Sequence, residues 1–401
     1  MPSLDPASVA AGAALAAVLL KVCGGATREA ADREPADREP TVPSVVAPAT
    51  TTPPRPPPTP PPRPSILCVG LNPAYQKSMQ FGQLTVDAVN RADAIFFSAG
   101  GKGQHCTVAA NLYAPGCAEV AQFLGDEGPA GPFIAEYMRS KQCAETALTE
   151  WVPGMKTRMC TTLLYGEQGA MTELIDPSET IPLHHVGALK ARLLAAIVRP
   201  ETRAVCVCGT FPPGVGPSLY AEIAAAKLGM GIHGAILVID AYKGIGDALS
   251  TGACDLLKIN AAELHALIGG GEAGVEGLGR EEVVLRDMAL AFHPHGGPMA
   301  DCAKTSVLAV TDGPSSAYMM RATGETWRLK VPAVPDVMNP IGAGDTVTGV
   351  MVAALVSGDA LEKAFAKGLA AASASCKGMQ GAVFQHAEYE KLLAGVIIER
   401  L

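Results

Sequence analysis

Short apolar segments alternate with helix-like segments from residue 65 onward, and this alternation limits the folds open to the chain. Residues 65–71, 204–208, 235–239 and 255–259 are short runs composed mainly of apolar residues. Such runs are typical of strands buried on both faces. Helical patterns separate them, so we expect a mainly parallel sheet covered by helices on both faces, which is an α/β fold.

Two regions do not fit the interior of such a sheet. Residues 75–98 and 143–175 contain strand-like runs in which polar and apolar residues alternate. This period of two is typical of strands with one solvated face. We therefore predict a small accessory sheet, formed near residues 75–98 and 143–175, beside the main layer.

The folded domain is predicted to span residues 65–401. Residues 41–64 contain eleven prolines, a composition typical of a stiff or disordered tether, so we interpret 24–64 as a linker. Residues 1–23 include an uncharged stretch at 6–20, too short for a stable membrane span. We interpret 1–23 as an apolar extension or a targeting presequence. The expected location is therefore the cytoplasm, or an organelle such as a plastid if the extension is a presequence.

Charge and cysteine content exclude some functions. The net charge is −8 and no basic tract occurs, so nucleic acid is not an expected partner. The 11 cysteines show no zinc-ligand spacing. We interpret them as reduced thiols that pack in the core.

The segment 339–346 reads Asn-Pro-Ile-Gly-Ala-Gly-Asp-Thr and stands between a strand-like run and an apolar helix. Gly342 and Gly344 let backbone N–H groups turn toward one point at a helix N-terminus, which is a ready-made anion site. A carboxylate at that site, Asp345, suits proton removal from a hydroxyl that attacks phosphorus. The alternative is a tight turn with an Asp cap.

Three further segments carry polar residues at predicted strand ends. Residues 99–103 place three glycines around Lys102, which favours a small polar ligand or a simple turn. Residues 209–214 form a rigid Gly-Pro-Pro-Gly loop where ligands collect in open α/β sheets. Asn260 and Glu263 suit either a capping box or water-mediated contacts to a nucleotide-bound Mg²⁺. Arg158 could fork onto a phosphate if its strand covers the cleft.

These segments, in this order, resemble the ribokinase-like (pfkB) carbohydrate kinase family. The resemblance covers residues 65–401, with 99–112 similar to the first family signature and 339–349 to the second. Residues 71–78, 89–91, 156–158, 209–214 and 258–264 resemble the branch that contains 1-phosphofructokinase and tagatose-6-phosphate kinase. It implies a three-layer α/β/α sandwich of eight or nine strands with a β-sheet lid. It also implies ATP and Mg²⁺ as cofactors, a sugar phosphate as the partner, and a homodimer through the lid.

The resemblance also implies residue roles. Asp345 is the expected general base, and the N–H groups of Gly342, Ala343 and Gly344 form the anion hole. Asn260 and Glu263 are expected to serve Mg²⁺. Near the acceptor, the resemblance implies Gly101, Lys102 and Arg158. Along the nucleotide, it implies Lys258, Thr311, Asp312, Gly313 and Ser315, with residues 371–380 beside adenine.

Two positions depart from the family pattern at the acceptor end. Gln76 stands where the family has Asp, and His105 stands where it has Asn. Both family residues contact sugar hydroxyls, and a neutral Gln accepts hydroxyl hydrogen bonds less strongly than a carboxylate. The leading hypothesis is a kinase that converts a hexose phosphate to a bisphosphate. The alternatives are a kinase of an unphosphorylated sugar or nucleoside, and a non-catalytic scaffold of the same fold.

Overall fold

The structure is a computed structural model that describes residues 65–143, 148–166, 170–230, 234–270, 277–314 and 316–401. The predicted extension at 1–23, the predicted linker at 24–64 and Ser315 lie outside the described residues. No helix in the described ranges is both long and apolar enough to cross a membrane.

A large sheet forms the centre of the described part of the chain. Its ten strands lie in the order β14-β13-β12-β11-β10-β9-β8-β1-β4-β5. In chain order they are β1 (Ile66–Val69), β4 (Ala118–Glu127), β5 (Thr149–Lys156), β8 (Ala204–Cys208), β9 (Ile236–Asp240), β10 (Leu256–Asn260), β11 (Val307–Thr311), β12 (Ala317–Arg321), β13 (Thr326–Lys330) and β14 (Ile397–Arg400).

Seven neighbouring strands, from β5 through β1 to β11, run parallel. Their carboxyl ends therefore meet at one edge of the sheet. Asp240 and Asn260 end β9 and β10 there, and Thr311 ends β11. This edge is where open α/β sheets bind ligands.

Helices cover both faces, as the alternation predicted. In β1, Leu67 and Val69 contribute to one apolar core, whereas Ile66 and Cys68 contribute to the other. The helices on the first face are α3 (Leu183–Ile197), α4 (Ser218–Leu228), α5 (Gly246–Ser250), α6 (Ala261–Leu267) and α7 (Arg280–Ala291). Those on the second are α1 (Lys102–Tyr113), α2 (Ala130–Ser140), α8 (Ala343–Val356) and α9 (Leu361–Ser375), with α10 (His386–Leu393) packed beside them.

Three buried thiols meet beneath α1. Cys68 and Cys206 are partners across β1 and β8, and Cys106 of α1 lies over them, with its Sγ 3.6 Å from that of Cys68. All three side chains belong to the second apolar core, where a free cysteine behaves as a small hydrophobic residue. The packing role expected for these three cysteines agrees with this position.

A second, four-stranded sheet has the order β3-β2-β6-β7. It comprises β2 (Ala74–Phe81), β3 (Ala94–Gly100), β6 (Met159–Tyr165) and β7 (Ala170–Ile175). The prediction for 143–175 was wrong in part, because β5 pairs with β4 at the edge of the large sheet. Its half-exposed pattern reflects that edge position.

The carboxyl-terminal segment also differs from the sequence prediction. The pattern of residues 387–396 predicts a helix, but α10 ends at Leu393 and β14 follows. β14 pairs antiparallel with β13, so that Ile398 lies opposite Leu329. Together with β5, this strand gives ten strands where eight or nine were expected.

Candidate active site

The first turn of α8 presents backbone N–H groups toward one point. Gly342 precedes the helix with φ 78°, in the left-handed region that favours glycine. Asn339 steadies the turn, because its side chain accepts a 3.0 Å hydrogen bond from the N–H of Ile341. Among the described residues, no acceptor pairs with the N–H groups of Gly344 and Asp345. These groups, at the positive end of the helix dipole, form a site for an anion.

The carboxylate of Asp345 lies in the same turn and is buried, with 8% of the residue exposed. Its Oδ2 lies 2.9 Å from Nδ1 of His105, which is 4% exposed. A buried carboxylate requires such a partner, because burial of an unpaired charge is unfavourable. The structure thus brings His105 against the predicted base, and its contact with an acceptor sugar stays a prediction.

Asp240 lies at the centre of a buried charge network that the sequence analysis did not identify. Its carboxylate accepts from Nζ of Lys102 at 3.0 Å and from Nζ of Lys258 at 3.3 Å. It also accepts from the hydroxyl of Thr348 in α8. The ammonium group of Lys258 donates in addition to the carbonyl of Gly344 at 2.7 Å. The network therefore ties the end of β9 to the anion-binding turn.

Burial and charge act in opposite directions on the pKa values in this network. Burial alone would raise the pKa of Asp240, but the ammonium groups of Lys258 and Lys102 and the Thr348 hydroxyl outweigh it and lower that pKa. Burial alone would lower the pKa of Lys102, but Asp240, Asp345 and Glu263 outweigh it and raise that pKa. Both groups are therefore charged at neutral pH. The sequence did contain a signal for Asp240, because it is the single charged residue of β9 and stands at the end of that strand.

Asn260 and Glu263 form the capping box that the sequence allowed. The Asn260 side chain accepts from the N–H of Glu263 at 2.8 Å, and Oε2 of Glu263 accepts from the N–H of Asn260 at 3.0 Å. Oε1 of Glu263 also accepts from Lys102 at 3.1 Å. Each carboxylate oxygen keeps a second acceptor position, so this oxygen donor set fits Mg²⁺ held through water.

Two residues predicted for the acceptor end, Gln76 and Arg158, lie in β2 and in the turn before β6. Gln76 is buried at 4% exposure and donates from Nε2 to the hydroxyl of Thr162 at 2.7 Å, which leaves Oε1 to accept. The guanidinium of Arg158 donates to the carbonyls of Asn72 at 2.8 Å and Pro73 at 3.3 Å. A surface pocket includes Asn72, Pro73 and Arg158 in its lining. Two of the five Arg158 donors are thus engaged by the loop after β1.

The predicted nucleotide loop follows β11. Thr311 ends the strand, and Gly313 has φ 57° in the turn after it. Asp312 is buried and accepts two 2.5 Å hydrogen bonds from Arg280 at the start of α7. The structure places this loop beside Asn260, because β10 and β11 are neighbours in register.

Backbone conformation and close packing explain two glycines of the turn before α1. Gly101 precedes α1 with φ 112°, a conformation that L side chains rarely adopt. A Cβ on Gly103 would lie 2.3 Å from Cα of Gly70, so this position admits only glycine. Both glycines bring the start of α1, with Lys102, directly onto the carboxyl end of β1.

The solved structure of phosphofructokinase-2 from Escherichia coli in complex with substrates and products has a TM-score of 0.67 to this chain. The match has 22% sequence identity and covers 82% of this chain and 98% of that chain. Together with the three layers and the second sheet, this likeness shows the ribokinase-like α/β fold.

Sequence comparisons give the family. A model of the "pfkB family carbohydrate kinase" matches residues 64–384. The 1-phosphofructokinase of Rhodobacter capsulatus is 30% identical over 305 residues, which cover 75% of this chain and 86% of the relative. The tagatose-6-phosphate kinase of Staphylococcus epidermidis is 25% identical over 288 residues, which cover 71% and 84%. The chain belongs to the pfkB family of carbohydrate kinases.

The chain is therefore an ATP-dependent carbohydrate kinase, a phosphotransferase that acts on an alcohol group. Kinases of this family use ATP, and Mg²⁺ is typical of them. Because the family match begins at residue 64, it gives no support to a plastid presequence in residues 1–23.

Proposed function

We propose that the protein transfers the γ-phosphoryl group of ATP to a hexose phosphate and forms a bisphosphate. The observation that carries this proposal is the position of Asp345. A buried carboxylate in the first turn of α8, beside free N–H groups of the same turn, is unsuited to anion binding alone. It suits removal of a proton from the attacking hydroxyl while the N–H groups stabilise charge on the transferred group.

The acceptor class rests on Arg158 and on the relatives. Both curated relatives carry names that specify a phosphorylated sugar. Arg158 keeps three guanidinium donors beyond those bound to Asn72 and Pro73. A guanidinium fixed by backbone carbonyls at a pocket is pre-organised for the phosphate that the acceptor already carries. Gly101, Lys102 and Gln76 complete the proposed acceptor end.

The remaining predicted residues are proposed to serve the nucleotide. Lys258 orients the carbonyl of Gly344 and thereby the anion-binding turn. Mg²⁺, when bound, would neutralise phosphate charge, and Asn260 and Glu263 would hold it through water. The loop after β11 is proposed to lie along the nucleotide through Thr311, Asp312, Gly313 and Ser315.

The test is a panel of acceptors offered to the full chain with ATP and Mg²⁺ in a coupled assay of ADP release. The panel contains fructose 1-phosphate, fructose 6-phosphate, tagatose 6-phosphate, the unphosphorylated sugars and a nucleoside. We expect turnover with at least one hexose phosphate and a bisphosphate product by mass spectrometry. Turnover restricted to unphosphorylated acceptors would contradict the acceptor class, and no turnover with any acceptor would favour a non-catalytic scaffold.

The Arg158→Ala variant separates the phosphate pocket from the transfer site. We expect KM for the best hexose phosphate to rise about 10-fold or more, because a charge-assisted hydrogen bond contributes roughly 1.5–3 kcal/mol, while KM for ATP is unchanged. Arg400→Ala is the matched control, since Arg400 is exposed, lies in β14 at the edge of the large sheet and pairs with Glu325. An unchanged KM for the acceptor in Arg158→Ala would remove Arg158 from the pocket.

A further inference from the structure

His105 has a second structural feature besides its contact with Asp345. Its Nε2 is buried and, within the described ranges, has no hydrogen-bond partner. The imidazole is thus paired on one side only, although the whole residue is 4% exposed. Buried polar atoms without partners are rare in folded proteins, and each requires an explanation.

The pairing fixes which nitrogen carries the proton. An ionised carboxylate only accepts hydrogen bonds, so Nδ1 of neutral His105 must donate to Oδ2 of Asp345 across the 2.9 Å separation. In a neutral imidazole Nε2 then carries no proton, and within the described residues no donor reaches it. Within the described ranges, the carboxylate of Asp345 is thus the one hydrogen-bond partner of the imidazole.

Two glycines confine the ring. A Cβ on Gly342 would lie 2.9 Å from Nδ1, and a Cβ on Gly381 would lie 2.9 Å from Nε2. Gly342 needs to be glycine for its left-handed backbone, but Gly381 is not among the residues with positive φ. The absence of a side chain at residue 381 therefore makes room first for the imidazole, and next for the carbonyl oxygen of Ile341, which would lie 3.1 Å from such a Cβ.

From this geometry we propose that His105 is a positioning residue for the general base. Its Nδ1–H fixes Oδ2 of Asp345, so that Oδ1 is the carboxylate oxygen presented to the acceptor hydroxyl. The inference rests on the proposed function of Asp345. It differs from the role in acceptor binding that the sequence implied for this position, because the ring contacts the base rather than the open pocket.

The Asn that the family has at this position offers a natural comparison. Nδ1 of His and Nδ2 of Asn are separated from Cα by the same number of bonds, so an Asn amide can donate to Asp345 from nearly the same place. His105→Asn therefore keeps the donor and removes Nε2. His105→Ala removes both, and His295→Ala, in an exposed turn, is the matched control.

Steady-state kinetics with the best acceptor test the proposal. We expect His105→Ala to lower kcat about 10- to 100-fold, a loss smaller than that expected from loss of the base itself, with KM for ATP unchanged. His105→Asn should retain kcat within about threefold, and His295→Ala should equal the wild type. A His105→Ala variant that raises only KM for the acceptor, or that leaves kcat unchanged, would overturn the proposal.

Gly381→Ala gives a test that does not remove the imidazole. Its Cβ would push Nε2 in the wild type and should lower kcat about as much as His105→Ala does. In the His105→Asn background the same substitution should lower kcat less, because the ring is gone while the contact with the Ile341 carbonyl oxygen remains. Equal losses in both backgrounds would contradict the proposed confinement of the ring.

A measurement without turnover separates this inference from the proposed function. In the full chain labelled with ¹⁵N-histidine, the His105 signals are assigned by their loss in His105→Asn. We expect protonated Nδ1 and unprotonated Nε2, and a change in the Nδ1 signal in Asp345→Asn. Signals insensitive to Asp345→Asn would overturn the pairing even if the kinase is active, and the expected signals in a protein without turnover would contradict only the proposed function.

Discussion

At the scale of single residues, the ionic contacts of the site converge on Asp240. This carboxylate is 1% exposed and faces two ammonium groups, those of Lys102 and Lys258. If it were neutral, the buried ammonium group of Lys258 would lose its carboxylate partner, and that of Lys102 would pair with Glu263. Compared with well-packed apolar residues, a buried ion pair adds little net stability. Its role here is to hold Lys258, which donates to the carbonyl of Gly344 and so fixes that turn.

Asp240→Asn tests that assignment. We expect the free energy of unfolding to fall by about 3–5 kcal/mol, the usual effect of removing one partner of a buried ion pair. Asp301→Asn, at an exposed position, should change it by less than about 0.5 kcal/mol. Urea unfolding at neutral pH measures both, and equal stabilities of the two variants would contradict the network.

The ion pairs of Asp240 with Lys258 and Lys102 predict that stability depends on pH. The pKa of Asp240 is lowered in the folded chain by Lys258 and Lys102 against the effect of burial, whereas an unfolded Asp has a pKa of about 3.9. The stabilisation is therefore complete above about pH 4 and is lost as the pH falls through the lower, folded value. The difference in stability between wild type and Asp240→Asn should shrink below about pH 4, and a constant difference would argue against an ionised Asp240.

At the scale of elements, the two helices that carry the site lie in direct backbone contact. A Cβ on Gly349 of α8 would lie 2.3 Å from the carbonyl oxygen of Cys106 in α1. Helix α1 carries Lys102 and His105, and α8 carries Asp345. The glycine therefore sets the separation on which the contact between His105 and Asp345 depends.

Gly349→Ala should force α1 and α8 apart. We expect a loss of about 1–3 kcal/mol in the free energy of unfolding, as for overpacked cores, and a lower kcat. Gly187→Ala is the matched control, because nothing lies within 4 Å of a Cβ in that helix, and it should stabilise by about 0.5–1 kcal/mol. Thermal unfolding of both variants measures these changes in stability. Equal stabilities of the two variants would show that the helices are not in close contact.

The sequence predicted most elements of the large sheet because its strands are buried on both faces and carry a local apolar signal. β8 was predicted with its observed bounds. The strand-like runs at 317–321 and 326–331 predict the hairpin of β12 and β13 to within one residue. β14 was missed because pairing with β13, a tertiary contact, orders an exposed segment of four residues. β5 was misplaced because an edge strand of the large sheet and a strand of the second sheet share the same alternating pattern.

Local motifs likewise predicted the glycine turn before α8 and the Asn260–Glu263 capping box. The pairing of His105 with Asp345 joins residues 240 positions apart, and no local pattern reports such a contact. Asp240 was overlooked for a related reason. A lone Asp at a strand end gains meaning only when the fold places Lys102 and Lys258 around it.

At the scale of the whole molecule, the second sheet carries exposed apolar side chains. Ile95 and Leu174 are 47% and 54% exposed. Ile95 is opposite Met79 in β2, and Leu174 is opposite Thr161, which in turn pairs with Lys77 in β2. Because Lys77 and Met79 are two residues apart in one strand, Ile95 and Leu174 lie on the same face of the sheet. Exposed apolar residues grouped on one sheet face are typical of an interface. We propose that two copies of the chain dimerise through this face.

Leu174→Asp tests the dimer. The introduced charge should oppose association at an interface, so we expect the wild type to sediment as a dimer and the variant as a monomer at micromolar concentration. Leu228→Asp, on α4 and 48% exposed, is the control and should remain dimeric. A monomeric wild type across the concentration range would contradict the proposal.

The central claim is that Asp345 removes the proton from the acceptor hydroxyl, and Asp345→Asn tests it most directly. Asn keeps the size of the side chain and loses its basicity, so the anion-binding turn should stay intact. With the acceptor identified by the panel, kcat for ADP release should fall about 10²- to 10⁴-fold, while the dissociation constant of ATP is unchanged. A variant that turns over at the wild-type rate would contradict the claim.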